Sequence, residues 1–87
     1  MAFDVVEIQP TPNPNAAKFV VRPSIADQPT SFFNADAARA HPIASQLFGI
    51  PGVTSVLLLG DFITVNKEPA VAWPGIHRGV REVLKKS

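Results

Sequence analysis

Two histidines, seven carboxylates and a scatter of serines are the residues of this 87-residue chain whose types could carry chemistry. His41 and His77 fall in different predicted helices, with no H-x-x-x-H spacing and no acidic residue at a ligand interval, so a metal site is not expected. His41 stands directly before Pro42 and reads as a helix-start residue; His77 reads as a solvated one. No serine lies in a G-x-S-x-G turn, and the carboxylates show no pairing that local spacing would bring into one cleft. Neither glycine motif that cradles phosphate, G-x-x-x-x-G-K-[ST] or G-x-G-x-x-G, occurs. Cysteine is absent, which removes disulfides, thiolate catalysis and any Cys-ligated metal site held by these residues alone. No catalytic residue, metal ligand or cofactor is therefore expected. A small enzyme with a site assembled from distant residues such as His41, Asp61 and His77 is the alternative a structure can test.

Charge points the same way. The formal charge is +1 and only 17% of residues are charged, so no strong field favours nucleic acid or membrane. Arg78, Arg81 and Lys85 form a helical stripe, but Glu82 stands four residues from Arg78 and from Lys86, and intrahelical ion pairs are the expected reading. Tyrosine is absent, and no basic residues interleave with aromatics as base stacking would need. The opening MAFDVVEIQP lacks the basic flank and apolar run of a signal peptide, and no apolar stretch reaches the roughly 20 residues that span a bilayer. The chain reads as soluble and cytoplasmic.

The elements that must position these residues follow from pattern. With 46% apolar residues, the chain should fold as a single domain over residues 1–87, burying roughly 60% of its unfolded surface. Phe3 to Ile8 and Lys18 to Arg22 are strand-like, closed by Pro10 and Pro23, and are expected to pair as an antiparallel hairpin. Between them TPNPN is a stiff connection: each proline holds the residue before it extended, and asparagine side chains close local turns. PSIADQPT is turn-rich, SFFN a short edge-strand candidate. A helix capped by Asn34 is cut short by Pro42, which places the main helix at Pro42 to Phe48 with Gly49 as its stop.

Val53 to Lys67 is the clearest element, a hairpin turning at Gly60-Asp61 that sets Leu59 against Phe62, Leu58 against Ile63 and Val56 against Val65. Alternation then puts Val56, Leu58, Ile63 and Val65 on one face and Leu57, Leu59, Phe62 and Thr64 on the other. Both faces are apolar, so the second is either covered or offered to a partner. Trp73 to Lys86 is a helix with Pro74 in its first turn and an apolar stripe of Ile76, Val80, Val83 and Leu84. The expected fold is α+β: a mainly antiparallel sheet of four to five strands with two helices packed on one face.

TPNPNAAKF, SFFNADAARAHPIASQLFGIPGV, and DFITVNK followed by Trp73 together resemble the N-terminal domain of Nfu/NifU-type iron-sulfur cluster scaffold proteins. The matching stretches run from about Thr11 into the final helix. The resemblance implies a small α+β domain that in longer members precedes a second domain, whose C-x-x-C cysteines hold the cluster between subunits and hand it to recipients. The N-terminal domain is thought there to contribute recognition and not ligation. This chain, without a C-x-x-C segment, looks like the stand-alone form. Where many relatives carry a serine before the helix-start proline, it has His41, which bears on the cap and not on the fold.

The expected function is therefore a non-catalytic accessory or protein-interaction module in iron-sulfur cluster assembly or delivery, not itself a scaffold. Its partners would be cluster-assembly proteins or recipient apo-proteins, with neither nucleic acid nor membrane, the chain being a monomer or weak homodimer. Asn13 and Asn15 would offer amide contacts, Lys18 a charge, and Asp61 and Phe62 a second contact point with Phe62 as apolar anchor. A general interaction or dimerisation module unrelated to iron and sulfur is the rival reading.

Overall fold

The computed structural model describes residues 3–22 and 24–86; the strand-closing role expected of Pro23 lies outside the described residues. Five strands and three helices follow in the order β1 (Asp4–Pro10), β2 (Ala16–Arg22), β3 (Ala26–Phe32), α1 (Ala35–Ala38), α2 (Pro42–Phe48), β4 (Val53–Gly60), β5 (Phe62–Lys67) and α3 (Trp73–Lys86). The strands form one antiparallel sheet in the order β1-β2-β5-β4-β3, so the two hairpins join through β2 and β5.

The second hairpin has the register its sequence dictates, with Leu59 opposite Phe62, Leu58 opposite Ile63 and Val56 opposite Val65. Gly60, at φ 57, takes the positive-φ place of its turn, and no non-glycine residue among those described has positive φ. A first-position glycine alone at positive φ is the type II′ pattern, whose twist matches that of the strands. Val56, Leu58, Ile63 and Val65 all point inward and are almost completely buried, as are Phe19 and Val21 on β2. Against them pack Ile43, Ala44 and Leu47 of α2 and Ile76, Val80 and Leu84 of α3, closing the core on one side of the sheet. Side chains of the other parity, including Leu57, Leu59 and Phe62, face away from the helices and are half-buried.

The segment between the two hairpins departs from the sequence expectation in its strand and matches it in its helix cap. The turn-rich PSIADQPT becomes strand from Ala26 onward, with its register broken between Ala26 and Thr30. Two anchors start it, the Ile25 N–H and the Ser24 hydroxyl, which donate to the Gly60 carbonyl at 2.7 and 3.0 Å. Pro29 is tolerated because β3 is an edge strand, where a missing donor faces no neighbour. Of SFFN only Ser31 and Phe32 are strand. Asn34 does cap a helix, its side chain accepting from the Ala37 N–H at 2.7 Å, so a one-turn α1 precedes α2.

Gly52, at φ 95, is where the chain leaves α2 for β4, and a Cβ there would sit 2.7 Å from a Val71 methyl. That close approach ties the start of β4 to the segment that leads into α3. Gly79 plays a similar packing role, since a Cβ on it would lie 2.9 Å from Ile50. It lets α3 come against the end of α2.

Candidate functional site

The TPNPN segment is closed almost entirely by its own polar groups. The Thr11 hydroxyl lies 2.9 Å from the carbonyls of Asn13 and Ala16 and accepts from the Asn13 N–H at 3.2 Å. Asn13 Oδ1 accepts from the Asn15 N–H at 2.9 Å, an Asx turn, while its carbonyl accepts from the Ala16 N–H at 3.0 Å. Two long-range contacts then bolt the loop to the rest of the fold. Trp73 Nε1 donates to the Pro14 carbonyl at 3.0 Å, and Lys67 Nζ donates to Asn15 Oδ1 at 3.2 Å. Lys67 is only 8% exposed; its ammonium also donates to the Glu68 carbonyl at 3.2 Å and lies 5.4 Å from the centroid of the Trp73 ring. A buried ammonium needs such partners, because desolvation without them would be costly.

Asn13 and Asn15, expected together as outward amide contacts, thus have different surroundings. Asn13 is exposed with its oxygen committed to the turn, and Asn15 is half-buried and turned toward Lys67. Lys18 and Phe62 meet elsewhere, on the sheet face away from the helices, where Lys18 Nζ sits 4.3 Å from the Phe62 ring centroid. Val20, Leu57 and Leu59 are half-buried on this same face. Asp61 is exposed at the hairpin tip, its carbonyl accepting from the Val21 N–H at 2.7 Å. The five residues therefore divide among the loop at one end of the sheet (Asn13, Asn15), the uncovered sheet face (Lys18, Phe62) and the hairpin tip (Asp61).

His77 is not the solvated residue expected from the sequence. Its ring stacks on Trp73 (5.6 Å, 27°) and meets Phe19 edge-on (5.6 Å, 79°), since it follows Trp73 by one helical turn and so shares its face. Burial, and secondarily the Arg81 charge, push its pKa below the ordinary histidine value. His41 does start α2: its Nδ1 accepts from the Ala44 N–H at 3.1 Å, doing the work of a serine cap. Its ring meets Phe32 edge-on at 5.5 Å. The expected intrahelical pairs of Glu82 do not form among the described residues, where the ion pair present is the exposed Arg39–Asp36 at 2.7 Å.

Trp73, His77 and the loop enclose a pocket of about 300 Å³ together with Ile8, Gln9 and Pro10 of β1 and Ala16 and Ala17 of β2. His41 and Asp61 do not line it, so the distant-residue enzyme site is not brought together. Among the described residues no three His, Cys, Asp or Glu side chains are grouped to hold a metal ion, and no helix is long and apolar enough to cross a membrane.

Two participants were missed in the sequence, Lys67 and Trp73. Lys67 had a signal: alternation along Ile63, Val65 and Lys67 puts all three on the inner face. Trp73 had none as a site residue, since its bond to Pro14 spans 59 residues.

The family model described as "Scaffold protein Nfu/NifU N terminal" matches residues 6–87. The human protein named NFU1 iron-sulfur cluster scaffold homolog, mitochondrial, is 45% identical over 64 residues, covering 72% of this chain and 25% of that protein. The Drosophila willistoni protein of the same name is 37% identical over 81 residues, covering 91% and 28%. This chain thus spans about a quarter of the length of these curated relatives. The crystal structure of protein SAV1430 from Staphylococcus aureus superposes with a TM-score of 0.81 over 94% of this chain and 99% of that one, sharing the fold at 24% identity. The solution structure of a NifU-like protein from Saccharomyces cerevisiae follows with a TM-score of 0.74 at 29% identity, over 94% and 77%. On sequence and fold together, the chain belongs to the Nfu/NifU N-terminal family.

Proposed function

We propose that this chain is a non-catalytic recognition module in iron-sulfur cluster assembly or delivery, docking a cluster carrier or a recipient apo-protein without ligating the cluster. Its family and the names of its relatives supply the iron-sulfur context. The absence of cysteine means that thiolate ligands come from outside these 87 residues. The observation that carries the reading is the uncovered sheet face. Val20, Leu57, Leu59 and Phe62 form an apolar centre there, and Lys18 is held against the Phe62 ring. An aromatic anchor inside an apolar patch with charge at its margin is the usual anatomy of a binding hot spot. Asp61 at the hairpin tip adds an opposite charge at the edge of the patch, while Asn13 and Asn15 shape the loop at the other end of the sheet.

Titrating the ¹⁵N-labelled protein with cluster carriers and apo-recipients tests this. Amide shifts should concentrate on Lys18, Val20, Leu57 and Phe62, and Phe62→Ser should weaken the complex at least tenfold. Shifts scattered over the molecule, or none with any of these proteins, would refute the reading. Shifts on that face that grow with the concentration of the free protein alone would make it a homodimer surface instead.

A further inference from the structure

The pocket under the TPNPN loop lies apart from the sheet face assigned above, and its walls have an unusual composition. Ile8, Pro14, Ala17, Trp73 and His77 make them mostly apolar, and no Asp, Glu, Lys or Arg lines them. Ile8, Gln9 and Pro10 belong both to this pocket and to β1, which has a strand neighbour on one side only. From Glu7 to Pro10 the register of β1 against β2 is unbroken, bounded by the irregularity at Val6 and by the proline. The opposite edge, β3, is broken between Ala26 and Thr30, and none of its residues lines this pocket.

We infer that the groove between the β1 edge and α3 binds an extended peptide segment of a partner protein, which adds as a strand along Glu7 to Pro10 and places one uncharged apolar side chain in the pocket. Three observations select this occupant. An open strand edge satisfies extended backbone and little else, because its N–H and C=O groups are spaced for another strand. A pocket without formal charge excludes a charged side chain, which would lose its hydration with no partner in return. About 300 Å³ is at the small end of ligand sites and suits a single side chain rather than a cofactor. Trp73, fixed by its bond to Pro14, and His77, stacked on it, form a rigid wall that is already in place before binding. That rigidity lowers the ordering cost of association.

The test uses capped hexapeptides Ac-Ser-Thr-X-Thr-Ser-Gly-NH₂ with X as Leu, Phe, Ala, Asp or Lys, titrated into the ¹⁵N-labelled protein. The Leu and Phe peptides should shift the amides of Ile8 and Gln9 and the Trp73 indole N–H, and should bind roughly tenfold or more tightly than the Ala, Asp and Lys peptides. N-methylating alternate backbone positions of the Leu peptide, in the two possible phases, should abolish binding in one phase and spare it in the other, which needs no change to the protein. Narrowing the pocket with Ala17→Leu, on the inner face with Phe19, should weaken the Leu peptide tenfold, while Phe62→Ser should leave it unchanged. The inference is overturned by equal binding of the Asp and Leu peptides, by indifference to both N-methyl phases, or by no shift with any peptide at millimolar concentration. Loss of peptide binding in Phe62→Ser would also overturn it, by moving the site to the sheet face. Since peptide binding here and carrier docking there are read on different residues, either can fail without the other.

Discussion

Removing the side-chain oxygen of Asn15 should destabilise the fold through Lys67, and the size of the effect can be worked out from the geometry. Lys67 is buried at the end of β5 and its ammonium has two protein acceptors, Asn15 Oδ1 and the Glu68 carbonyl, each at 3.2 Å. Hydrogen bonds to a charged group contribute about 1.5–3 kcal/mol, and these distances are at the long end of the normal range, so Asn15→Ala should cost about 1–2 kcal/mol. The Asn15 carbonyl keeps its bond from the Lys67 N–H in either variant, so the backbone pairing is constant across the comparison. Lys67→Met removes the ammonium while retaining much of the buried stem, and should change stability by less than about 1 kcal/mol. In that background Asn15→Ala should cost only about 0.5 kcal/mol or less, giving a coupling of about 1 kcal/mol. Urea denaturation read by circular dichroism measures all four corners of the cycle, with a melting shift of roughly 4–8 °C per kcal/mol as a check. An equal cost of Asn15→Ala in both backgrounds would show that the loop is not held through Lys67, and the account of its rigidity would fall.

Three further predictions use contrasts within one element. Leu58→Ala should cost about 2–5 kcal/mol in urea denaturation, and Leu57→Ala, one residue away on the uncovered face, less than about 1.5 kcal/mol; equal losses would mean that both faces are packed. Gly75→Ala, with open space around its Cβ, should stabilise α3 by about 0.5–1 kcal/mol, whereas Gly79→Ala, pressed against Ile50, should be a net loss of about 1 kcal/mol by the same assay. His77 has its folded-state pKa lowered, first by burial and then by Arg81, so the fold favours the neutral ring. Its contribution to stability is complete above pH 6.5 and is lost as pH falls from there through the lower folded value. Denaturation series between pH 7.5 and 5 should therefore show a steeper loss for the wild type than for His77→Phe.

How far the sequence could be read depended on how local the determining physics was. The Gly60-Asp61 hairpin was legible down to its register, because a two-residue turn and period-two alternation fix every partner from Val56 to Val65. The stripe Ile76, Val80 and Leu84 was legible for the same reason at helical period. β3 was not: Asp27, Gln28 and Pro29 have poor strand propensity, and the strand exists because Ala26 and Thr30 on either side of them pair with Gly60 and Leu58 of β4, and Ile25 is anchored to the Gly60 carbonyl. His77 was misjudged because helical position says which face a residue shares, and only the path of β2 brings Phe19 to that face.

The opening loop shows the same division. Its stiffness was written in the chain, since prolines restrict the residues before them and Asn13 closes its turn on the next residue but one. Its place in the molecule was not, because Lys67 and Trp73, which hold Asn15 and Pro14, stand 52 and 59 residues away in the chain. The sequence by itself determined the family, the register of the Gly60-Asp61 hairpin, the apolar faces and the lack of thiolate ligands, all consequences of residue identity and short-range spacing. Only the tertiary structure decided that one sheet face stays uncovered, that Lys67 is a buried anchor, and that loop, edge strand and Trp73 enclose a pocket. Those follow from which distant surfaces the collapsed chain brings together, and no local propensity encodes that.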